Sequence, residues 1–307
     1  MKPDLNVNLC GVKLSNPTIL ASGILGLDAE TLFRVAQNGA GAVTFKSVGT
    51  KERKGHDNPT LIANKHYLLN AMGFPNPGAE YQAIEIEKYK KKTRTPAIAS
   101  VMGSNLKDFK KIITTLCNAN PDLIEIDISC PNVDAEYGAP FACNAKAAEK
   151  ATKEAVKHST KPVFIKLSPN IHPQGFRQVA KAVEKAGANG ITATNTLSGI
   201  AINAEAGKPI LTNVFGGVSG PALKPVALRC VFDAFNATKI PLIGTGGVTD
   251  GSDAAEMILA GASAVGIGSA THYRGIDAFK KTSNELSEFM KKQGYKKISD
   301  FQGKAHK

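Results

Sequence analysis

Three side chains with reactive or charged ends follow short apolar runs of the sequence: Cys130, Lys46 and Lys166. Cys130 comes after Ile124–Ile128, whose strict alternation of apolar and acidic residues is typical of a strand. That strand must end by Pro131, because proline cannot donate a hydrogen bond to a sheet. A lysine at the carboxyl end of a buried strand loses its hydration unless it meets an anion. The pattern therefore predicts a site for an anionic ligand beside a reactive thiol.

Polar amides and a hydroxyl lie at corresponding points of the sequence, namely Asn70, Asn132, Asn195 and Thr196. An asparagine side chain both donates and accepts hydrogen bonds, which suits a ring that bears alternating N–H and C=O groups.

A simpler interpretation remains open for the charged residues. Each lysine could reach out to water or pair with Glu125 or Asp127, and Cys130 could cap a strand as a small hydrophobic side chain. The position of all three at strand ends favours a functional role.

Two glycine-rich turns occur near the end of the chain, in Ile243–Val248 and Gly266–Ala270. Each follows an apolar run and precedes a helical pattern. Glycine lets backbone N–H groups approach phosphate oxygens, and the next helix presents its positive end. The pair predicts a phosphate site. The glycines do not complete a dinucleotide fingerprint, so direct binding of a nicotinamide cofactor is not expected.

A single repeated unit must position these residues: a short apolar run, a polar loop and an amphipathic segment. The predicted strands are Thr18–Ala21, Ala42–Lys46, Ala97–Val101, Leu123–Ile128, Val163–Leu167, Gly190–Thr194, Pro241–Gly244 and Ala264–Ile267. The predicted helices include Leu106–Ala119, Ala145–His158, Gly175–Ala186 and Asp253–Ala260. Eight such units in series predict an α/β fold, a (β/α)8 TIM barrel with right-handed crossovers.

Three further segments complete the predicted fold. Asn6–Leu14 is expected to form a short N-terminal β-hairpin that turns at Gly11. The segments 47–78 and 196–224 are too long for ordinary βα loops, so we expect insertions that act as lids or substrate walls. Residues 1–307 are predicted to form a single domain.

Composition limits the class of protein. The five cysteines are scattered, which predicts neither a disulfide framework nor a metal site, and the histidines lack ligand spacing. Neither a signal peptide nor a membrane span is expected, so a cytoplasmic protein is predicted. The formal charge of +12 lies largely in helix-like segments such as Lys88–Lys92, where it is interpreted as a solvated surface. Nucleic-acid binding is not favoured, because few aromatic residues accompany the lysines.

Several motifs, in order along nearly the whole chain, resemble class 1 dihydroorotate dehydrogenase. They are F-K-S at Phe45–Ser47, N-A-M-G-F-P-N-P-G at Asn70–Gly78, I-S-C-P-N-V at Ile128–Val133, I-K-L-S-P-N at Ile165–Asn170, N-T-L-S-G at Asn195–Gly199, G-G-V-S-G-P-A-L-K-P at Gly216–Pro225 and G-T-G-G-V at Gly244–Val248. The insertion after the sixth strand is most similar to subtype B, the NAD-linked catalytic subunit.

The resemblance implies a non-covalent FMN in the barrel mouth and oxidation of dihydroorotate to orotate in pyrimidine biosynthesis. The implied cofactor contacts are Ala21, Ser22, Lys46, Ser47, Asp127, Lys166, Thr192, Gly220, Gly246, Gly247, Gly268 and Ser269. The implied substrate contacts are Lys46, Asn70, Met72, Gly73, Phe74, Asp127, Asn132, Asn195 and Thr196. Cys130 is the implied base for the C5 proton, while a hydride passes from C6 to N5 of the flavin.

The resemblance also implies a partner subunit that carries FAD and an iron–sulfur cluster, in a heterotetramer or around a homodimer core. The scattered cysteines of this chain do not have the spacing that would ligate such a cluster.

One position departs from the family pattern, because Asp127 stands where the family usually has asparagine. An ionised aspartate only accepts hydrogen bonds. We therefore expect Asp127 to pair with Lys166 or to accept a hydrogen bond from a ring N–H of the ligand.

Three alternatives remain open at this point. The first two are a dihydropyrimidine dehydrogenase-like enzyme and a tRNA-dihydrouridine synthase-like enzyme, each with FMN and a catalytic cysteine. The third is a flavin barrel without catalytic activity.

Overall fold

Eight parallel strands form a closed barrel in this computed structural model, which describes residues 3–103, 105–128 and 144–306. The strands in chain order are β1 (Val7–Leu9), β2 (Val12–Leu14), β3 (Thr18–Leu20), β4 (Ala42–Thr44), β5 (Leu61–Ala63), β6 (Leu68–Asn70), β7 (Ala97–Val101), β8 (Leu123–Asp127), β9 (Val163–Leu167), β10 (Gly190–Ala193), β11 (Leu197–Ile200), β12 (Ile202–Asn203), β13 (Lys208–Pro209), β14 (Phe215–Ser219), β15 (Leu242–Thr245) and β16 (Ala264–Ile267). The barrel runs β3–β4–β7–β8–β9–β10–β15–β16 and closes from β16 back to β3. The predicted TIM barrel is therefore confirmed.

Among the described residues, the helices lie in the crossovers between barrel strands, except the last two, which follow β16. In chain order they are α1 (Ala29–Gln37), α2 (Ala79–Lys92), α3 (Leu106–Asn118), α4 (Ala145–His158), α5 (Pro173–Lys185), α6 (Lys224–Ala237), α7 (Gly251–Leu259), α8 (Ala270–Arg274) and α9 (Ala278–Gln293). Polar side chains cap several of them: Asn105 accepts the first free N–H groups of α3, and Asp250 does so for α7. Two helices begin two residues earlier than predicted, because His172 and Asp250 provide the caps and Pro173 is favourable in a first turn.

The N-terminal hairpin closes one end of the barrel. Strands β1 and β2 pair through a two-residue turn at Cys10 and Gly11, both with positive φ, so the predicted hairpin with its turn at Gly11 is confirmed. Leu9 and Leu14 pack against apolar residues from the beginnings of the barrel strands, such as Ile98. The amino end of the barrel is therefore filled with hydrophobic side chains, which leaves the carboxyl end for ligands. Cys10 itself is exposed.

The two predicted insertions form one antiparallel sheet. Strands β5 and β6 come from the first insertion, β11 and β14 come from the second, and the order is β11–β14–β6–β5. Strand β14 joins the two insertions, with Gly217 opposite Asn70 and Ser219 opposite Leu68. The insertions therefore build a common wall over the carboxyl end of the barrel.

The lysine-rich segment of α2 lies on the outside of the molecule. Lys90 pairs with Asp122 at 2.6 Å, and Lys92 pairs with Glu30 at 2.6 Å. This segment carries its charge on partly exposed side chains, as the sequence predicted.

Within the described residues, we find no helix with both the length and the apolar composition needed to cross a bilayer. The single-domain assignment of residues 1–307 stays a prediction.

Candidate active site

A cavity with an internal volume of about 380 Å³ lies at the carboxyl ends of the barrel strands, under the wall of the insertions. Most of the predicted site residues line it: Ala21, Ser22, Lys46, Ser47, Asn70, Met72, Phe74, Asp127, Lys166, Asn195, Thr196, Gly220, Gly246, Gly247, Gly268 and Ser269. These residues are far apart in sequence, and they meet here because parallel strands bring their carboxyl ends to a common rim.

The remaining predicted residues lie elsewhere. Thr192 is buried beneath the cavity and donates a hydrogen bond to Glu125, so it is one layer deeper than expected. Gly73 is not among the residues that line the cavity, and its carbonyl accepts a hydrogen bond from Arg53 Nε at 2.8 Å. Cys130 and Asn132 lie outside the described residues.

One side of the cavity consists of the two glycine turns after β15 and β16. Gly246 and Gly247 have φ angles of +131° and +76°. Within the part of the chain that the structure describes, the backbone N–H groups of Gly246, Gly247 and Gly268 have no hydrogen-bond acceptor. Three free donors on one side of a cavity make a suitable cradle for an anion such as phosphate.

Lys166 is the most buried cation of the cavity, because only 6% of its surface is exposed. From β9 its Nζ donates to Ser22 Oγ at 2.8 Å and lies 4.0 Å from Glu125 Oε1. The long lysine side chain thus crosses the top of the barrel, held between a hydroxyl and a carboxylate. It presents a fixed positive charge in a position that is poorly screened by water.

Asp127 ends β8, which lies four strands from β16 around the ring, so Asp127 and Gly268 are on opposite sides of the mouth. Its carboxylate accepts hydrogen bonds from Asn195 Nδ2 at 3.2 and 3.3 Å. Asn195 Oδ1 in turn accepts from the backbone N–H of Thr196 at 2.7 Å. The amide of Asn195 is therefore fixed in one orientation. The expected contacts of Asp127 with Lys166 or with a ligand N–H stay predictions.

Lys46 lies near the aromatic ring of Phe74, with Nζ 5.6 Å from the ring centre. Phe74 belongs to the first insertion and has a left-handed backbone conformation, with φ +58°. Asn70 is anchored to the second insertion by donating to the Gly217 carbonyl at 3.2 Å. This side of the cavity therefore combines a cation, an amide and an aromatic ring on a wall that the two insertions hold together.

Asn170 supports this wall from below. Its Nδ2 donates to the Thr196 carbonyl at 3.0 Å, and its Oδ1 accepts from the backbone N–H of Ser198 at 2.7 Å. Both hydrogen bonds hold the first residues of the second insertion over the barrel.

Sequence reasoning missed several residues that line the cavity, including Thr194, Ser219, Thr245 and His272. His272 lies in α8, shortly after the second glycine turn. A useful signal was its place three residues after Ser269, which is one helical turn. Thr194 and Thr245 each adjoin a predicted strand end and could have been found by the same rule as Lys46.

The comparisons with known proteins agree with this geometry. A family model described as dihydroorotate dehydrogenase matches residues 4–290. The catalytic subunit of dihydroorotate dehydrogenase B (NAD(+)) from Methanosarcina mazei is 42% identical over 303 residues, which covers 98% of this chain and 95% of that protein. The corresponding subunit from Pyrococcus abyssi is 41% identical over 303 residues, covering 99% of each chain.

A solved structure of dihydroorotate dehydrogenase from Eimeria tenella, in complex with ferulenol, matches with a TM-score of 0.87 and covers 99% of this chain and 89% of that one. Its sequence identity is 22%, so this likeness supports the fold alone. The family model and the sequence relatives carry the assignment further, and by their evidence this chain belongs to the dihydroorotate dehydrogenase family.

Proposed function

We propose that this chain is the catalytic subunit of an NAD-linked dihydroorotate dehydrogenase and oxidises dihydroorotate to orotate in pyrimidine biosynthesis. The observation that carries the proposal is that one cavity joins an anion cradle at Gly246, Gly247 and Gly268 to a polar, cationic wall at Lys46 and Asn70. A phosphorylated cofactor and an acidic ring substrate together need both parts.

The residues present fit FMN. The free N–H donors of the glycine turns suit its phosphate, and Lys166 with Ser22 suits the polar edge of a flavin ring. When bound, FMN supplies the acceptor for the hydride from C6 of dihydroorotate. The chain supplies orientation, charge and a base.

The substrate side is proposed to hold dihydroorotate through Lys46, Asn70, Asn195 and Thr196. The Lys46 ammonium would balance the substrate carboxylate, and the two amides would pair with the N–H and C=O groups of the ring. Phe74 and Met72 would cover the ring and exclude water. Because Asn195 is already oriented by Asp127, it would meet the substrate without losing further side-chain freedom.

Cys130 is proposed to be the base that takes the C5 proton, with Asn132 beside it as a further substrate contact. This part of the proposal rests on the sequence, where Cys130 comes three residues after the end of β8. A thiol needs ionisation to act as a base, and cations close to it would favour the thiolate.

The relatives are named as catalytic subunits, which supports a proposal about assembly. We propose that a second subunit with FAD and an iron–sulfur cluster passes electrons to NAD, in a heterotetramer or around a homodimer of this chain. A cytoplasmic location stays a prediction that fractionation of the native cells would test.

The decisive experiment is anaerobic mixing of the purified yellow protein with dihydroorotate while the flavin absorbance is followed. We expect the absorbance to bleach, and to bleach faster as the pH rises towards the ordinary thiol pKa of about 8.5. Cys130→Ala should nearly abolish bleaching, whereas Cys143→Ala, the matched control, should not.

Dihydrouracil, which lacks the carboxylate, should bleach the flavin much more slowly than dihydroorotate. Equal rates with the two compounds would contradict the assigned substrate. A colourless protein that does not take up FMN would contradict the function itself, and bleaching of Cys130→Ala at the normal rate would remove the thiol from the mechanism.

A further inference from the structure

A buried acid lies directly below the cavity. Glu125 belongs to β8, two residues before Asp127, so its side chain points the same way one layer deeper in the barrel. Only 4% of its surface is exposed. Its carboxylate accepts hydrogen bonds from Ser100 Oγ at 3.2 Å and Thr192 Oγ1 at 2.9 Å. Ser100 belongs to β7, which is adjacent to β8, and Thr192 belongs to β10, which is two strands from β8 on the other side.

Neutral hydroxyls alone do not balance a buried carboxylate. An ionised carboxylate away from water is unfavourable unless a cation compensates it. That cation is Lys166, whose Nζ lies 4.0 Å from Glu125 Oε1. The separation is longer than a hydrogen bond, so the attraction is electrostatic. Because both side chains are at least nine-tenths buried, salt in the solvent screens it weakly.

The same lysine also reaches the ligand cavity. Lys166 lines the cavity beside Ser22, while Glu125 lines a small pocket of about 10 Å³ beneath it, which shares several lining residues with the cavity. The lysine is therefore shared between the two spaces, and Glu125 is not among the residues that line the upper one. Glu125 can therefore influence a ligand in the cavity through Lys166, because it affects the position of the ammonium group and partly neutralises its charge.

We propose that Glu125 is a positioning residue that sets the positive charge presented to the cofactor by Lys166, and thereby the reduction potential of the bound flavin. The inference rests on the proposed function, since it requires FMN beside Lys166. Reduced flavin carries more negative charge than oxidised flavin when it is ionised. A nearby carboxylate that partly neutralises Lys166 therefore lowers the potential.

The test is the midpoint potential of FMN bound to Glu125→Gln, measured by equilibration with a reference dye. Glutamine keeps the shape and removes the charge. Its one carbonyl oxygen can accept from Ser100 or Thr192, and its amide NH2 group can donate to the other hydroxyl. We expect the affinity for reduced FMN relative to oxidised FMN to increase about tenfold, which is a rise of about 30 mV for a two-electron couple. A change of less than about twofold, or a fall, would overturn the inference.

Two control variants separate charge from other effects. Glu85→Gln removes the charge of another buried glutamate, in α2, which accepts from Lys88 Nζ at 2.7 Å and from the backbone N–H of Ala29. It should leave the potential at the wild-type value. Ser100→Ala removes one hydrogen bond to Glu125 and the 2.8 Å contact of Ser100 Oγ with Ser47 Oγ, but it keeps the charge of Glu125. It should also leave the potential at the wild-type value. A shift in either control as large as that of Glu125→Gln overturns the inference.

A double-mutant comparison tests the route through the lysine. In a Lys166→Met background, the added Glu125→Gln change should shift the potential much less than it does in the wild type. An equal shift in both backgrounds overturns the role of Lys166. If Glu125→Gln does not fold, Glu125→Asp, which retracts the carboxylate by one methylene, should raise the potential by a smaller amount, and an unchanged or lower value overturns the inference.

The outcome is distinguishable from a failure of the proposed function. If the wild-type protein binds FMN and is bleached by dihydroorotate, but its potential does not respond to Glu125→Gln, only the present inference is lost. If the wild-type protein does not bind FMN, the proposed function is lost first.

Discussion

The glycine turn after β15 gives the sharpest test of the anion cradle. Gly247 has φ +76°, and a Cβ added there would lie 2.7 Å from the backbone nitrogen of Lys224 and 2.8 Å from its Cα. Backbone atoms at the start of α6 cannot rotate away, so Gly247→Ala must displace the turn itself. The N–H of Gly247, a residue that lines the cavity, moves with it.

The size of the effect has two parts. A left-handed conformation costs an L-residue with a Cβ about 1–2 kcal/mol, which lowers the free energy of unfolding. A displaced N–H loses its hydrogen bond to a charged phosphate, which is worth about 1.5–3 kcal/mol. Because 1.4 kcal/mol corresponds to a factor of ten in a dissociation constant, we expect FMN to bind about 10-fold to 100-fold more weakly.

The assay is a titration of apo-protein with FMN, followed by the quenching of flavin fluorescence, together with urea unfolding. Gly294→Ala is the matched control, since Gly294 has φ +75° at the end of α9 and a Cβ there would meet nothing within 4 Å. It should lower the free energy of unfolding by the same conformational term and leave FMN affinity unchanged. FMN affinity of Gly247→Ala within twofold of wild type would refute the reasoning.

Three further predictions follow from single contacts. Asn170→Ala removes the support of Thr196 and should raise the KM for dihydroorotate about fivefold to tenfold while FMN affinity is kept, as steady-state kinetics and titration would measure. Burial opposes ionisation of Asp253, but hydrogen bonds from Lys224 and Thr249 outweigh it and lower the pKa of Asp253. This stabilisation is present above the pKa of Asp253 in the unfolded chain and is lost as the pH falls through its pKa in the folded protein. Urea unfolding should therefore show that the loss of unfolding free energy in Asp253→Asn, relative to the wild type, becomes smaller below about pH 4. Burial raises the pKa of Cys230 to about 11, so peptide mapping should find it unmodified by a thiol reagent until the protein is unfolded.

Each of these has an outcome that would contradict it. Loss of FMN affinity in Asn170→Ala, parallel to the rise in KM, would mean that the residue supports the whole mouth rather than the substrate wall. If the loss of unfolding free energy in Asp253→Asn stays constant as the pH falls, the hydrogen bonds of Asp253 do not depend on its charge. Exposed Cys10 is the internal standard for labelling, and equal rates at Cys10 and Cys230 would show that the core opens freely.

The barrel was predictable because its strands are buried on both sides and so stand out as apolar runs between polar loops. Strand β9, for example, appears in the sequence as V-F-I-K-L with the same bounds that the structure has. The proximity of Lys46, Lys166 and Asn195 was also predictable, because each lies at or next to the end of a predicted strand and the carboxyl ends of parallel barrel strands meet at one rim. The hairpin was predictable from the turn at Gly11.

Other features depend on contacts between distant segments and have no local signal. The pairing of Val218 with Leu69 depends on register across the two insertions, which neither segment specifies alone. The depth of Thr192 was missed because alternation along a strand tells which side chains point inward but not which layer they occupy. The contact of Asn195 with Asp127 likewise depends on side-chain orientation at two separate strand ends.

The sheet shared by the two insertions has a consequence for how the fold can be altered. Strand β14 hydrogen-bonds to both β11 and β6. The same sheet therefore holds Asn70 and Thr196 in place, although 126 positions separate them in sequence. A chimera that transplants either insertion alone from a relative would inherit mismatched edges, and we expect it to be insoluble or inactive. Grafting both together should restore a working enzyme, so the two segments are expected to exchange between homologues as a pair.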